Sequence, residues 1–229
     1  MCGRFVGCRN IEQLKRYFPI DEIRTEVAPN YNVAPTQQIP VVFRQGAVNV
    51  LERFHWGLVP HWAKDVSIGS RMINARMETV ATKPSFRVAF KKRRCLIPAD
   101  GFYEWQKVNG KKQPVFITLP GDQPLAFAGL WETWGEEYLS CTIITRPASD
   151  CILGIHDRMP AVLQPDTYFH WLDSENCGAN EAIKILTEKT VTDFAFWPVS
   201  RQVNLVKFNS PANIEPIQGG NGLKIMAKC

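Results

Sequence analysis

The sequence contains seven cysteines, but no two of them stand in the CxxC spacing that marks many metal and redox sites. They are odd in number and scattered along the chain, at Cys2, Cys8, Cys95, Cys141, Cys151, Cys177 and Cys229. Disulfide-stabilised domains use an even set of cysteines, and structural zinc sites use closely spaced pairs. The pattern therefore disfavours a disulfide framework and a zinc site, and we predict that the protein holds no metal.

Long apolar stretches are also missing from the sequence. Arg4 and Arg9 place positive charge near the start of the chain, where a signal peptide or a membrane helix would need an uninterrupted apolar segment. We therefore expect no secretory leader, no membrane association and a cytoplasmic location.

Internal repeats, low-complexity segments and long polar linkers are absent as well, so nothing divides the 229 residues into separate domains. We predict one domain over residues 1–217 and a flexible tail over residues 218–229, and we expect a monomer. The composition, with 45% hydrophobic and 21% charged residues, is typical of a packed globular protein. The net charge of +5 is weak evidence for an anionic partner, because many enzymes are mildly basic.

Most regular patterns in the sequence indicate strands. Asn109-Gly110 is the strongest hairpin signal, because both residues tolerate the backbone of a tight turn. Further strands are predicted at residues 114–119, 125–131, 138–145, 194–199 and 203–206. Helices are predicted at residues 85–92, 165–172 and 179–186, and after Asn10, which can cap a first turn. An α+β fold fits this order best, with mainly antiparallel sheets wrapped into a barrel-like core and a few peripheral helices.

Cys2 occupies an unusual position for a reactive side chain. If Met1 is removed, Cys2 carries a thiol and a free α-amine on adjacent carbons, with ordinary pKa values of about 8.5 and about 8. The amine can condense with an aldehyde to an imine, and the thiol can close on the imine carbon to give a thiazolidine ring. The amine could instead activate the thiol for amide hydrolysis. A loose chain end without a chemical role is the third interpretation.

Two residues are candidates for proton transfer. Glu104 stands among aromatic residues, where desolvation would favour its protonated form, but an outward-facing strand glutamate is an equally good interpretation. His156 is flanked by Asp157 and Arg158, and it is the best of the four histidines for acid–base chemistry near neutral pH. The same flanking charges could also form a simple surface turn.

Polar and basic groups recur in two further segments. Asn74 could donate its amide to a developing oxyanion, and Arg76 could contact a phosphate while Glu78 holds the arginine. A plain turn asparagine is the competing interpretation. The basic run at residues 91–94 indicates a solvated face first and a phosphate track second. Nearby aromatic residues strengthen the second interpretation, because single-strand sites combine basic grooves with stacking rings.

Seven short motifs follow one another across nearly the whole chain. They are MCGRF at 1–5, YNVAPT at 31–36, WGLVP at 56–60, INARMET at 73–79, PADGFYEW at 98–105, IHDRMP at 155–160 and PVS at 198–200. Each motif alone is a weak signal, but the ordered set resembles the SOS response-associated peptidase family.

This resemblance implies a protein that senses abasic sites in single-stranded DNA and crosslinks to them through the N-terminal cysteine, without a cofactor. It implies that Cys2 is the nucleophile, that Asn74 and His156 bind and polarise the sugar, and that Glu104 moves protons. Contacts along a positively charged DNA channel are implied for Gly3, Arg4, Arg76, Trp105 and Arg158. Peptidase-like and abasic-site lyase side activities are implied as well.

Two other function classes remain open. An N-terminal cysteine amidohydrolase of the glutaminase type also begins Met-Cys-Gly, and a nucleic-acid-binding module without chemistry would use the same basic and aromatic surface. The chain also departs from the family where lysine usually runs directly into asparagine. Here Phe208 separates Lys207 from Asn209, which leaves the contacts of these two residues open.

Overall fold

The computed structural model describes residues 2–217 and the backbone of residues 225–226. Its strands are β1 (Phe5–Gly7), β2 (Glu22–Ile23), β3 (Asn30–Val33), β4 (Gln38–Gln45), β5 (Val48–Trp56), β6 (Asn74–Arg76), β7 (Arg94–Ala99), β8 (Gly101–Val108), β9 (Lys111–Thr118), β10 (Leu125–Trp134), β11 (Tyr138–Pro147), β12 (Arg158–Pro160), β13 (Ala195–Pro198) and β14 (Ile225–Met226). Its α-helices are α1 (Ile11–Tyr17), α2 (Arg87–Lys92), α3 (Asp150–Leu153), α4 (Tyr168–Leu172) and α5 (Ala179–Glu188). Short 3₁₀ helices lie at Val66–Arg71, Pro165–Thr167, Arg201–Asn204 and Pro211–Ile214. Apart from the backbone of β14, the tail predicted to be flexible lies outside the described residues.

Five strands close into a barrel. β4 pairs antiparallel with β5 and β7, and β10 pairs antiparallel with β7 and β11. β11 returns to β5 through a short parallel pairing of Ser140 with His55 and Cys141 with Trp56. Because the path closes, these five strands leave no edge open along the paired segments. The predicted α+β fold with a barrel-like core is confirmed.

A second sheet runs in the order β14-β13-β9-β8-β1-β3. Its β8–β9 hairpin turns at Asn109 and Gly110, whose φ angles of 48° and 76° confirm the predicted tight turn. β1 lies between β3 and β8, because Phe5 pairs with both Val33 and Phe102. The start of the chain is therefore fixed in the interior of a sheet.

Alternate residues of the barrel strands face two separate apolar cores. Phe43 packs into one core, whereas its neighbour Val42 packs into the other together with α1, α2, α4 and α5. The second sheet joins the first of these cores, because Phe5 and Phe102 make edge contacts with Phe127 at ring-centroid distances of 5.7 and 6.1 Å. Full burial of such a side chain contributes roughly 1.5–3 kcal/mol.

Each helix that the sequence predicts is present, although α2 begins at Arg87 and α3 is not among the predictions. Asn10 Oδ1 accepts from the Gln13 amide and Gln13 Oε1 accepts from the Asn10 amide, both at 2.9 Å, which makes a capping box ahead of α1. The helices predicted at 85–92, 165–172 and 179–186 correspond to α2, to α4 with its preceding 3₁₀ helix, and to α5. None of the described helices is long and apolar enough to span a membrane.

The basic run at residues 91–94 is not a continuous exposed track. Arg94 is only 1% exposed. It donates to four backbone carbonyls, which belong to Phe90, Trp171, Asp173 and Cys177. Arg93 pairs with the buried carboxylate of Glu132, with Nη2 and Oε2 2.7 Å apart. Two of the four cations therefore hold the fold together, and only Lys91 and Lys92 are exposed.

The strand predicted at residues 203–206 is wrong. Arg201–Asn204 form a 3₁₀ helix, and the Ser200 hydroxyl caps its first turn. Of the apolar residues in this segment, Val203 is buried, whereas the two after Asn204 are exposed. The apolar residues therefore do not line one face of a strand, and the local cap determines the structure.

Candidate active site

Cys2 is buried against β8. The Arg4 carbonyl accepts from the Tyr103 amide at 2.9 Å, so the residues ahead of β1 run alongside β8. Cys2 itself is fully buried, which excludes its interpretation as part of a loose chain end. Burial raises the pKa of the Cys2 thiol well above its ordinary value, and the nearby Glu104 carboxylate raises it further.

Glu104 lies on β8 and is only 3% exposed. The interpretation of Glu104 as an outward-facing strand residue is therefore wrong. Burial raises the pKa of this carboxyl from 4.5 to about 7. A carboxyl that titrates near neutral pH can both accept and donate a proton.

His156 follows α3, and its Nε2 lies 4.0 Å from Glu104 Oε2. The Arg158 amide donates to His156 Nδ1 at 3.0 Å, a contact that the neutral ring makes when its proton is on Nε2, the nitrogen nearer Glu104. Burial lowers the pKa of His156, which favours this neutral form. Asp157 Oδ1 lies 2.8 Å from the same Nδ1, a contact that needs a proton on Nδ1, in either the other neutral tautomer or the protonated ring.

Asn74 connects Cys2 to the barrel. It lies on β6, where it pairs with Ile143 of β11, and its Nδ2 donates to the Cys2 carbonyl at 2.8 Å. Its Oδ1 is buried and accepts no hydrogen bond from the described residues. The amide nitrogen thus fixes the main chain of Cys2, and the buried oxygen has unused capacity to accept a hydrogen bond. Its role toward an oxyanion stays a prediction.

The sequence predicts DNA contacts for Gly3, Arg4 and Trp105, and all three are partly buried, the first two just ahead of β1 and Trp105 on β8. Arg4 Nη1 donates to Asn32 Oδ1 and to the Val203 carbonyl, both at 2.7 Å. The Arg4 guanidinium lies 5.9 Å from the centre of the Trp105 ring, whose indole N–H donates to the same 3₁₀ helix. These contacts hold the 3₁₀ helix beside the site, and contact of these residues with DNA stays a prediction.

Arg158 is held by Glu78 and Thr145. Its Nη1 and Nη2 donate to the two Glu78 carboxylate oxygens at 2.5 and 3.1 Å, and Nη2 also donates to the Thr145 carbonyl at 2.8 Å. Hydrogen bonding from Arg158 lowers the pKa of Glu78. The sequence predicts Glu78 as the partner of Arg76, but the structure pairs it with Arg158, because β6 and β12 both pair with β11.

Arg76 is exposed, and its side chain makes no hydrogen bond or ion pair within the described part of the chain. It opens onto a pocket of about 710 Å³ next to the site. The pocket is lined by Asn74, Arg76, Thr79, Thr82, Lys83, Pro84 and Phe86. Two cationic side chains and the Asn74 amide therefore share one solvent-open surface.

Asn32 is a supporting residue that the sequence argument missed. It is 1% exposed. Its Nδ2 donates to the carbonyls of Val203, Leu205 and Phe208 at 3.2, 3.0 and 2.8 Å. Its only sequence signal is a place within the YNVAPT motif at 31–36, because its partners lie far away in the chain.

The Phe208 insertion has defined contacts. The Phe208 carbonyl accepts from Asn32, and the Asn209 side chain accepts from the Tyr31 amide at 2.8 Å. Lys207 is exposed. The insertion therefore leaves Asn209 tied to β3 and Lys207 at the surface.

A group with metal-ligand spacing is formed in the described residues by His170, Cys177 and Glu181. None of the four residues predicted to be catalytic belongs to this group. The sequence prediction of no metal rests on cysteine spacing, and a mixed group of this kind has no CxxC signature.

Replacing Glu104 by glutamine is expected to stabilise the protein above neutral pH. The folded-state pKa of about 7 lies above the ordinary 4.5, so stability present below pH 4.5 is lost as the pH rises through 7. Glutamine has nearly the same shape but no charge to bury. As the pH rises from 4.5 to above 7, the unaltered protein should therefore lose on the order of 3 kcal/mol of unfolding free energy relative to the glutamine variant. Urea unfolding of both proteins across this pH range measures the shift, and parallel pH profiles would contradict it.

The chain is similar in sequence to proteins that process abasic sites. It is 41% identical over 222 residues to the abasic site processing protein YoqW of Bacillus subtilis, covering 94% of this chain and 99% of YoqW. It is 33% identical over 230 residues to the abasic site processing protein YedK of Escherichia coli, covering 95% of this chain and 100% of YedK.

The fold is also shared with a solved structure. A crystal structure of a protein from Bacteroides thetaiotaomicron matches 94% of this chain and 100% of its own, with a TM-score of 0.81 at 24% identity. The family model described as SOS response associated peptidase (SRAP) matches residues 1–206. The chain therefore belongs to the SOS response associated peptidase family.

Proposed function

We propose that this protein captures abasic sites in single-stranded DNA through a covalent thiazolidine crosslink to Cys2, after removal of Met1. The observation that carries the proposal is the convergence of a buried cysteine with Asn74, Glu104 and His156. The relatives named as abasic site processing proteins support the choice of lesion.

The proposed reaction releases one water. The abasic sugar opens to an aldehyde, the α-amine of Cys2 adds to its C1′ carbon, and loss of water gives an imine. Cys2 Sγ then attacks the same carbon, and the thiol proton passes to the imine nitrogen. The product is a five-membered ring in which C1′ is bonded to both sulfur and nitrogen. Because the ring must reopen before hydrolysis, this adduct should outlast a simple imine.

Glu104 is the proposed proton carrier. Burial keeps the Cys2 thiol protonated at neutral pH, so sulfur attack needs a nearby base. With a pKa of about 7, Glu104 can take that proton and can also protonate the departing hydroxyl. The Nε2 proton of neutral His156 is proposed to bind a sugar oxygen, together with the Asn74 side chain.

Two side activities are proposed for the same residues. Elimination from the imine would cleave the DNA strand at the lesion, which is a lyase reaction. An activated Cys2 would also support release of residues that precede it, which is a peptidase-like reaction. Both depend on the same cysteine and carboxyl group.

Arg76→Ala is expected to weaken binding to single-stranded DNA. Arg76 is exposed, makes no side-chain hydrogen bond within the described residues and opens onto the pocket beside Asn74, so it is the proposed phosphate contact. Loss of one phosphate contact should reduce the slope of log affinity against log salt by about 0.7 to 1. Fluorescence anisotropy over a salt series measures this slope. Arg24→Ala is the matched control, because Arg24 is an exposed arginine that follows β2 and pairs with Glu22. An equal change of slope in both variants would contradict the assignment of Arg76 as the phosphate contact.

The proposed function is tested by incubating the purified protein with matched single-stranded oligonucleotides that contain or lack one abasic site. A heat-resistant shifted band on a denaturing gel is expected only with the abasic strand. Glutamine is supplied in a parallel assay of ammonia release, which tests the amidohydrolase alternative. Ammonia release without any DNA adduct would overturn the proposal.

A further inference from the structure

Three potential metal ligands meet between α4 and α5. His170 lies on α4, Cys177 in the connecting loop and Glu181 in the first turn of α5. Their ligand atoms all lie within 4.8 Å of one another, and His170 Nε2 is 2.6 Å from Glu181 Oε1. Cys177 is fully buried, whereas the other two side chains are 47% and 49% exposed. One side of the group is therefore closed by the core and the other is open to water.

Arg94 fixes the backbone around this group. It donates to the Trp171, Asp173 and Cys177 carbonyls at 2.7, 3.3 and 2.8 Å. These bonds hold the end of α4 and the following loop against β7, so Cys177 is positioned before any ion arrives. Ligands that are already ordered lose less entropy when they bind.

The chemistry of the donor set favours Zn²⁺. Imidazole nitrogen, thiolate sulfur and carboxylate oxygen are all zinc ligands, whereas Ca²⁺ and Mg²⁺ prefer oxygen alone. Zinc bonds of about 2.0–2.3 Å place tetrahedral ligand atoms roughly 3.3–3.8 Å apart. The two exposed side chains would have to separate by about 1 Å from their 2.6 Å contact, and nothing buries them in place. The negative charges of the thiolate and the carboxylate offset the nearby Arg94 guanidinium.

We propose that His170, Cys177 and Glu181 bind one Zn²⁺, with water as the fourth ligand. Binding releases the Cys177 thiol proton to solvent, and the bound ion links α4 to α5. Without the sulfur, the contact between His170 and Glu181 would be an ordinary surface ion pair of little energetic value. With the Cys177 thiolate, the group supplies three of the four ligands of a tetrahedral site.

The test uses the full chain carrying Cys2→Ala, because an N-terminal aminothiol would also bind zinc. Titration with Zn²⁺ by calorimetry should give one ion per chain, and Co²⁺ should give tetrahedral visible bands with a thiolate charge-transfer band. Adding Cys177→Ser should remove the charge-transfer band. His170→Gln and Glu181→Gln should each weaken zinc binding by at least about tenfold. Cys151→Ser is the matched control, since Cys151 is a partly exposed cysteine outside the group, and it should change nothing.

The exposed ligands keep the test decisive even if Cys177→Ser disturbs the core, because His170→Gln and Glu181→Gln leave buried packing intact. Failure of the Cys2→Ala chain to bind Zn²⁺ stoichiometrically would overturn the proposal. Unchanged zinc affinity in both the His170→Gln and the Glu181→Gln variants would overturn it as well. No DNA enters this experiment, so its outcome is independent of the proposed function.

Discussion

Cys2→Ala is expected to abolish the heat-resistant adduct with an abasic single-stranded oligonucleotide. Alanine retains the α-amine, so an imine can still form, but no sulfur is present to close the ring. The remaining imine hydrolyses during heating, and the shifted band on a denaturing gel should fall below detection. Borohydride added before heating should restore a band in the variant, because reduction converts the imine to a stable amine.

Cys8→Ala is the matched control for this experiment. Cys8 lies just beyond β1, and the contact of its main chain with Asp100 uses the backbone amide, which alanine preserves. Cys8 is within the chain and has no free α-amine, so it can form neither the imine nor the thiazolidine ring, and burial raises the pKa of its thiol to about 12. The control should form the adduct as the unaltered protein does. A heat-resistant band of equal intensity from Cys2→Ala would contradict the role of Cys2.

Glu104→Gln is expected to slow adduct formation by about 10²–10⁴-fold. Glutamine occupies nearly the same space but cannot carry a proton from the Cys2 thiol to the imine nitrogen or the departing hydroxyl. The unaltered protein should also show a change in rate near pH 7, where Glu104 titrates, and the variant should lack it. Single-turnover crosslinking rates across a pH series measure both effects.

Glu132→Gln is the matched control for a buried glutamate. Glu132 is 5% exposed on β10 and pairs with Arg93. Its loss should reduce stability while leaving the crosslinking rate of the folded protein unchanged. A Glu104→Gln variant that reacts at the unaltered rate, with the same pH profile, would remove Glu104 from the proton path.

Local features of the fold and its barrel-like class could be predicted from the sequence, but the strand pairing that closes the barrel could not. The capping box at Asn10 and the turn at Asn109-Gly110 depend on residues that are neighbours in the chain. The parallel pairing of Ser140 with His55 depends on residues 85 positions apart, and no short pattern encodes it. At residues 203–206 apolar content predicts a strand, but the Ser200 cap and exposure after Asn204 give a 3₁₀ helix.

For the candidate site, the sequence predicts which residues take part but not how they are oriented or paired. The ordered motifs identify Cys2, Asn74, Glu104 and His156, but the alternation in β8 leaves the orientation of Glu104 undecided. Only the structure shows that Glu104 is buried and that its pKa is raised. The partner of Arg158 could not be read from the sequence either, because Glu78 lies in the turn after β6 and meets Arg158 across β11.

Peptide mass mapping of the protein–DNA adduct tests the central claim most directly. After nuclease and protease digestion, we expect an N-terminal peptide that begins at Cys2, lacks Met1 and carries the sugar fragment. Its mass should be that of the peptide plus the sugar aldehyde minus one water, without any reductant. Three results would contradict capture by the N-terminal aminothiol: an adduct on a lysine, an adducted peptide that retains Met1, or an unmodified Cys2 peptide from the shifted band.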